Sequence, residues 1–397
     1  MTGSHLSSLL ATVRSLAPRI QASVAECEQS RRIPLPLVEA MTDAGLFRLW
    51  LPRSLGGDEA DPTTVVRVIE EVSRIDGATG WCLMIAATTC LPGGYVAART
   101  AREMFGAHPH TICAGGWPPF GEAVVVEDGY RVTGRWPLSS GCQHCGWFQA
   151  GCRVIGSNGP RLRADGTPVT RIMLLPATSC VILDTWHSAG LRGTGSNDFT
   201  VTDVFVPADH TVSFRASPVE PGPLYAFPTI ALSAAAIAAV PLGIARHAID
   251  ILTEITRVKI ARRSQKTLNQ SAMVQTDLGR AEGLLRSGRA FLLEALDEAW
   301  HVVCAGGRLS VTQRAMLWLA ATQATTAATQ AVDLMFSAGG TASIYANAGL
   351  ERCLRDIRTA GQHITLVPSN YEMAGQALLG FDMRTTPLLA MDDRSEE

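Results

Sequence analysis

The sequence is sparing with charge and with aromatic rings: charged residues make up 18% of its 397 positions and aromatic residues 6%. Lysine and arginine total 34 against 36 aspartates and glutamates, with no basic block. The electrostatic footprint of a nucleic-acid binder is therefore missing. Cys142-x-x-Cys145 has no second Cys-x-x-Cys to match it, and no two histidines share a metal-like spacing on one helix face, so a structural zinc site is not expected. Ten cysteines over this length fall far below a disulfide scaffold. Most lie in apolar surroundings and read as buried thiols of a reducing, cytoplasmic compartment. There is no G-x-S-x-G nucleophile elbow and no P-loop lysine. The N-terminal segment lacks a basic stretch followed by an apolar one, so no secretory signal is expected. The one long apolar run, 227–252, is interrupted by Pro241, Arg246 and His247 and is rich in alanine. It is expected to be a buried helix and not a membrane span.

What is present divides into three textures. Residues 1–112 carry apolar residues at helical spacing, as in Leu37, Val38, Met41 and again in Val65, Val66, Ile69, Val72. Asp61-Pro62 is a helix start, a capping aspartate followed by proline in the first turn. Residues 113–217 read as β structure, with Asp128-Gly129 as a hairpin turn and further strands near 146–154, 170–175, 179–184 and 199–206. Residues 218–397 are helical again, through 231–261, 272–302, 312–337 and 349–365. Strands and helices are segregated rather than alternating, which excludes a doubly wound sheet or a (β/α) barrel and gives an α+β class.

Candidate chemistry is scattered over these zones. Ser139-Ser140-Gly141 follows Trp136 at a strand end, where small hydroxyls beside an indole could hydrogen-bond a flat heteroaromatic ring; the alternative is a plain chain reversal. "GLRGTGSND" (190–198) is either an anion cradle of backbone N–H groups or a tight β connection. Arg262 and Arg263 end a long helix and suit phosphate, or form a solvated basic face. Arg352, Arg355 and Asp356 stand at helical spacing and could pair as ions; His363 follows them. Cys142 and Cys145 continue into a strand-like segment, which suits packed thiols better than a redox dithiol.

Four segments, in order, resemble the acyl-CoA dehydrogenase-fold flavoproteins: "LPRSLGGDEADPTTVVRVIEEVSRIDGATGW", "GYRVTGRWPLSSGCQHCGWF", "GLRGTGSNDFTVTDVFVP" and "AGGTASIYANAGLERCLRDIRTAGQHI". The resemblance covers about residues 30–380. The resemblance implies an N-terminal helical domain (1–112), a central β-barrel-like domain (113–217) and a C-terminal four-helix bundle (218–397). Two branches of that fold compete. An acyl-CoA dehydrogenase would use Glu372 as base, but the "GT" after "YE" is missing, and Phe336 stands where such enzymes have glutamine. "RWPLSSG", "GLRGTGSND" and the histidine after "RD" look more like the two-component flavin-dependent monooxygenases.

That second resemblance implies an oxygenase that receives reduced FMN or FAD from a separate flavin reductase. With O2 it would form a C4a-hydroperoxyflavin and hydroxylate a small aromatic or heteroaromatic substrate of phenol or indole type. It also implies a homotetramer. By the same resemblance, His363, Ser139, Ser140 and His110 are the catalytic candidates. Trp136, Ser139, Ser140, Arg192, Thr194, Ser196, Arg262 and Arg263 would hold the flavin. Trp81, Trp117, Phe120, His144 and Tyr371 would line the substrate pocket. No metal, nucleic acid or membrane is expected as a partner.

Overall fold

The structure is a computed structural model and describes residues 2–106, 111–260, 265–346, 349–383 and 386. His110, Arg262 and Arg263 lie outside the described residues.

The chain opens with helices α1 (Thr2–Ser30), α2 (Leu35–Asp43), α3 (Pro62–Ile75), α4 (Gly77–Thr89) and the short α5 (Ala98–Ala101). Asp61 caps α3 by accepting from Thr64 N at 2.8 Å, with Pro62 in the first turn where no N–H is needed. Asp76 caps α4 in the same way, taking Thr79 N at 2.8 Å and Thr79 Oγ1 at 2.7 Å. Helix α4 has no polar stripe and is buried almost end to end, because the later bundle closes over it.

Strands follow from Cys113 to Val212: β1 (Cys113–Val126), β2 (Gly129–Ser139), β3 (Trp147–Gly156), β4 (Gly159–Pro160), β5 (Thr170–Pro176), β6 (Val181–Leu183), β7 (Asn197–Pro207) and β8 (Thr211–Val212). They form one eight-stranded sheet in the order β6-β7-β2-β1-β3-β5-β8, with β4 on β3. All neighbours are antiparallel except β1 and β3. Its core is a compact cluster around Trp136, Phe148, Phe199 and Met173. The first hairpin turns one residue earlier than expected. Val126 pairs with Gly129, so Glu127 and Asp128 make the turn, with Asp128 at φ 59°. Gly129 instead starts β2, where a Cβ would lie 2.3 Å from Val206 O on β7.

The chain then returns to helices: α6 (Pro223–Ala226), α7 (Thr229–Val258), α8 (Ala272–Cys304), α9 (Val311–Gly339), α10 (Leu350–Ala360) and α11 (Ser369–Leu378). Helix α7 is long and apolar enough to cross a membrane by composition, with mean hydropathy 1.7, but 89% of that window is buried inside the protein. It packs against α3, α4, α9 and α10 and forms the spine of the bundle. Gly243 lets α7 and α3 touch, since a Cβ there would stand 2.3 Å from Glu70 O. Helix α10 ends sooner than the sequence pattern suggests, at Ala360. Beyond it His363 caps a short turn, Ile364–Leu366, by accepting from Thr365 N.

Candidate active site

The hydroxyl residues of the two sequence-distant loops meet. Trp81, on α4, donates from Nε1 to Ser140 Oγ at 3.0 Å. Ser140 Oγ and Ser196 Oγ are 2.6 Å apart, as are Ser196 Oγ and Thr194 Oγ1. Thr194 Oγ1 donates to Leu191 O at 2.8 Å. A hydroxyl has one proton to give, so the direction of the chain is fixed. Thr194 spends its proton on Leu191 O, Ser196 must donate to Thr194, and Ser140 must donate to Ser196. Such aligned bonds polarise one another. Ser140 therefore has only lone pairs left to offer. Ser139, one residue back, is the opposite case: its Oγ is buried and has no partner among the described residues.

The loop that carries Thr194 and Ser196 is held under constraint. Leu191 is buried with φ 50°, a left-handed conformation that costs a branched residue roughly 1–2 kcal/mol. Gly195 follows at φ 54°. Asn197 Oδ1 takes the N–H groups of Thr185 and Trp186 at 3.0 and 2.9 Å, closing the loop from the other side. Gly141 N donates to Thr194 O at 2.9 Å, which ties the Ser139-Ser140 turn to it.

His363 enters from the bundle. Its ring lies 5.9 Å from the Trp81 indole, tilted by 60°. Thr365 N donates to His363 Nδ1 at 3.3 Å, and Thr365 Oγ1 lies 2.9 Å from the same atom. A backbone N–H can only donate, so Nδ1 is the unprotonated nitrogen and Nε2 carries the proton. His144 stacks on Phe47 at 6.4 Å and 25°, and no described residue hydrogen-bonds its ring. Burial pushes both imidazoles down to about 4. Both residues are half-buried. Near neutral pH each is uncharged.

Several expected residues do not join this group. Trp136 was expected to face a ring ligand, but it is 0% exposed. It stacks on Phe199 at 5.0 Å, with its Nε1 donating to Gly151 O at 2.7 Å. It packs the sheet interior and has no face to spare. Arg192 turns its guanidinium toward α1, donating to Glu28 O and Ser188 O at 3.2 Å each. Trp117 belongs to a separate aromatic cluster with Phe214, and its indole N–H is held by Gln149 Oε1 at 2.7 Å. Phe120 is 55% exposed on β1. Tyr371 lies on the bundle surface, donating to Gln323 Oε1 at 2.8 Å. Glu372, the alternative base, is exposed and accepts from Gln376.

The Cys142–Cys145 pair has settled into packing. Cys142 Sγ donates to Gly195 O and Cys145 Sγ to Cys142 O, at 3.3 Å each. Burial pushes the Cys142 thiol up to about 11 and Cys145 well above its usual range, so neither is a ready thiolate. No cluster of three metal-ligating side chains occurs among the described residues. Phe47 and Thr365 carry no signal in the sequence, because Phe47 is one of many apolar residues in a helical pattern and Thr365 acts through a turn after the helix.

Helices before and after one central sheet make up the acyl-CoA dehydrogenase fold. The family model described as acyl-CoA dehydrogenase, N-terminal domain, matches residues 5–99, and that described as acyl-CoA dehydrogenase, C-terminal domain, matches 235–368. The chain is 31% identical to an indole-3-acetate monooxygenase of Pseudomonas putida over 91% of both chains. It is 28% identical to the flavin-dependent monooxygenase oxygenase subunit HsaA of Mycobacterium tuberculosis, over 90% of this chain and 91% of that one. Among solved structures, XiaF from a Streptomyces species, in complex with FADH2 and glycerol, superposes with TM-score 0.89 at 28% identity, covering 96% of this chain and 97% of that one. The chain belongs to the oxygenase components of the two-component flavin-dependent monooxygenases that share this fold.

Proposed function

We propose that the protein hydroxylates a small phenol- or indole-type substrate beside Trp81 and His363, using reduced FMN or FAD delivered by a transient flavin reductase. The observation that carries this reading is the directed hydroxyl chain ending at Ser140, set against the Trp81 indole and the His363 ring. The residues fit a flavin ring: an orphaned buried hydroxyl at Ser139, a fixed acceptor at Ser140 and an N–H at His363 Nε2. Bound reduced flavin would supply two electrons and O2 the oxygen atom that is transferred, the second oxygen atom leaving as water.

The protein's own groups do the rest. Ser139 offers the one hydroxyl proton not already committed. His363, neutral and held by Thr365, presents Nε2–H as a donor without delivering a free proton. The apolar surroundings of Trp81 and Phe47 keep water away, which protects a reactive oxygen equivalent from collapsing to peroxide. His144, stacked on Phe47 and with no hydrogen bond to its ring from a described residue, is a candidate for the base that takes the substrate O–H or N–H proton and makes the ring a better nucleophile. His110 remains a second candidate for that base. Arg262 and Arg263 remain candidates for the flavin phosphate.

We further propose a cytoplasmic homotetramer. Ten free thiols suit a reducing compartment, and Ile344, Tyr345, Leu378, Leu379 and Phe381 in the C-terminal helical region are exposed apolar residues of the kind a second copy would cover. Light scattering on the purified protein tests the tetramer. The activity is tested with chemically reduced FMN or FAD, 18O2 and a panel of phenols and indoles including indole-3-acetate. Label in a hydroxylated product is the expected result. No labelled product from any ring substrate, together with bleaching of bound FAD by an acyl-CoA, would overturn the reading.

A further inference from the structure

Helix α10 grips the hydroxyl-bearing loop at three consecutive residues. Arg355 Nη1 donates to Ala189 O. Gly190 lies so close to α10 that a Cβ would stand 2.1 Å from Arg355 O. Leu191 N donates to Asp356 Oδ1 at 2.6 Å. The Asp356 carboxyl is buried, 3% exposed, and spends that oxygen on a peptide N–H instead of on the arginines beside it. Arg355 is engaged elsewhere, with Glu351 at 2.6 Å and Glu28 at 3.1 Å.

Leu191 is also where the hydroxyl chain ends. Its carbonyl receives Thr194 N at 3.0 Å and Thr194 Oγ1 at 2.8 Å. One residue, Leu191, thus separates the Asp356 carboxylate on its N–H from the proton sequence Ser140 to Ser196 to Thr194 on its carbonyl. We propose that Asp356 is a positioning residue. By holding Leu191 in its left-handed turn it fixes the direction of the hydroxyl chain, and so keeps Ser140 an acceptor toward the flavin. The inference rests on the reading that this chain faces the flavin. Without the carboxyl oxygen, Leu191 relaxes toward an ordinary backbone conformation, its carbonyl swings away, and the Thr194 proton is free to reverse.

An acceptor oxygen is all that Leu191 N requires, so Asn at this position suffices and Leu does not. Full-length wild type, Asp356→Leu, Asp356→Asn, Thr194→Val and Ser140→Ala are compared by anaerobic titration with reduced FMN and reduced FAD. The rate of peroxide release on adding O2 without substrate is the second readout. Asp356→Leu and Thr194→Val are expected to weaken reduced-flavin binding about ten-fold and to speed peroxide release, while Asp356→Asn stays within about two-fold of wild type. A folded Asp356→Leu protein with wild-type affinity and peroxide release overturns the inference. So does Asp356→Asn falling as far as Asp356→Leu. If Asp356→Leu does not fold, Thr194→Val and Asp356→Asn decide it by the same readouts. Should Ser140→Ala itself change neither readout, the placement of the flavin is what has failed; a Ser140→Ala effect without an Asp356→Leu effect removes the Asp356 role alone.

Discussion

The Trp81 indole N–H, on a helix before the sheet, ends on Ser140 Oγ, at the close of β2, 3.0 Å away and fully inside the protein. Ser140→Ala leaves that N–H buried without an acceptor and also cuts the bond to Ser196. A loss of about 1–3 kcal/mol is expected, read as a lower urea midpoint. Ser139→Ala removes a hydroxyl that has no protein partner. Its stability should be unchanged or raised by up to about 1 kcal/mol, while reduced-flavin affinity falls. Equal destabilisation by both variants would contradict the assignment of the two serines.

His363→Ala should divert turnover from product to peroxide, because the Nε2–H donor and the bulk beside Trp81 go together. Thr365→Val is the subtler variant. It keeps the backbone N–H that points at Nδ1 and loses only the hydroxyl, so a smaller shift toward peroxide is expected. Product and peroxide measured against reductant consumed check both, and an unchanged ratio in His363→Ala would remove the ring from the chemistry.

Stability should fall in mild acid. Burial holds His144, His247 and His363 at about 4, against an ordinary value of 6.5. Between those values the unfolded chain binds protons that the folded one refuses, so stability drops as pH falls from about 6.5 toward 4. Asp356 works the other way. Burial raises it to about 7, so its contribution is lost as pH rises from about 3.8. Three groups outweigh one, and the net slope is at most about 3 kcal/mol per pH unit. Urea midpoints at pH 4.5 to 7.5 measure it, and His144→Gln with His363→Gln should flatten the curve.

Cys142→Ala with Cys145→Ala should leave reduced-flavin use within about two-fold of wild type, since high thiol pKa values make both poor nucleophiles. Turnover with and without a thiol reductant checks this. A reductant-dependent activity in the wild type that the double variant lacks would restore a redox role.

Much of the fold was open to sequence reading because it rests on local chemistry. Asp61-Pro62 caps α3, the alanine-rich run becomes the buried α7, and the β-branched segments become the sheet. What failed did so for tertiary reasons. Trp136 sits three residues from Ser139, yet a register shift and Leu138 at φ 59° lie between them, so the surroundings of one do not follow from those of the other. Asp356 stands among arginines at helical spacing, which suggested an ion pair. Its partner is a backbone N–H 165 residues away, fixed by how closely Gly190 meets α10. Ser139, Ser140, Thr194 and Ser196 were legible as hydroxyls, but the order of their protons was not, because it depends on a carbonyl in a loop.

The site draws on every part of the molecule: Trp81 from the first helices, the three linked hydroxyls of Ser140, Ser196 and Thr194 from loops of the sheet region, and Asp356 and His363 from the bundle. Occupancy of such a junction is thermodynamically linked to the docking of all three parts. A ligand that binds only the fully assembled chain stabilises it by RT ln(1 + [L]/Kd). With the flavin placed as proposed, it would act as a chaperone for its own enzyme, and in a cell short of flavin the apo-oxygenase would be the form most exposed to proteolysis.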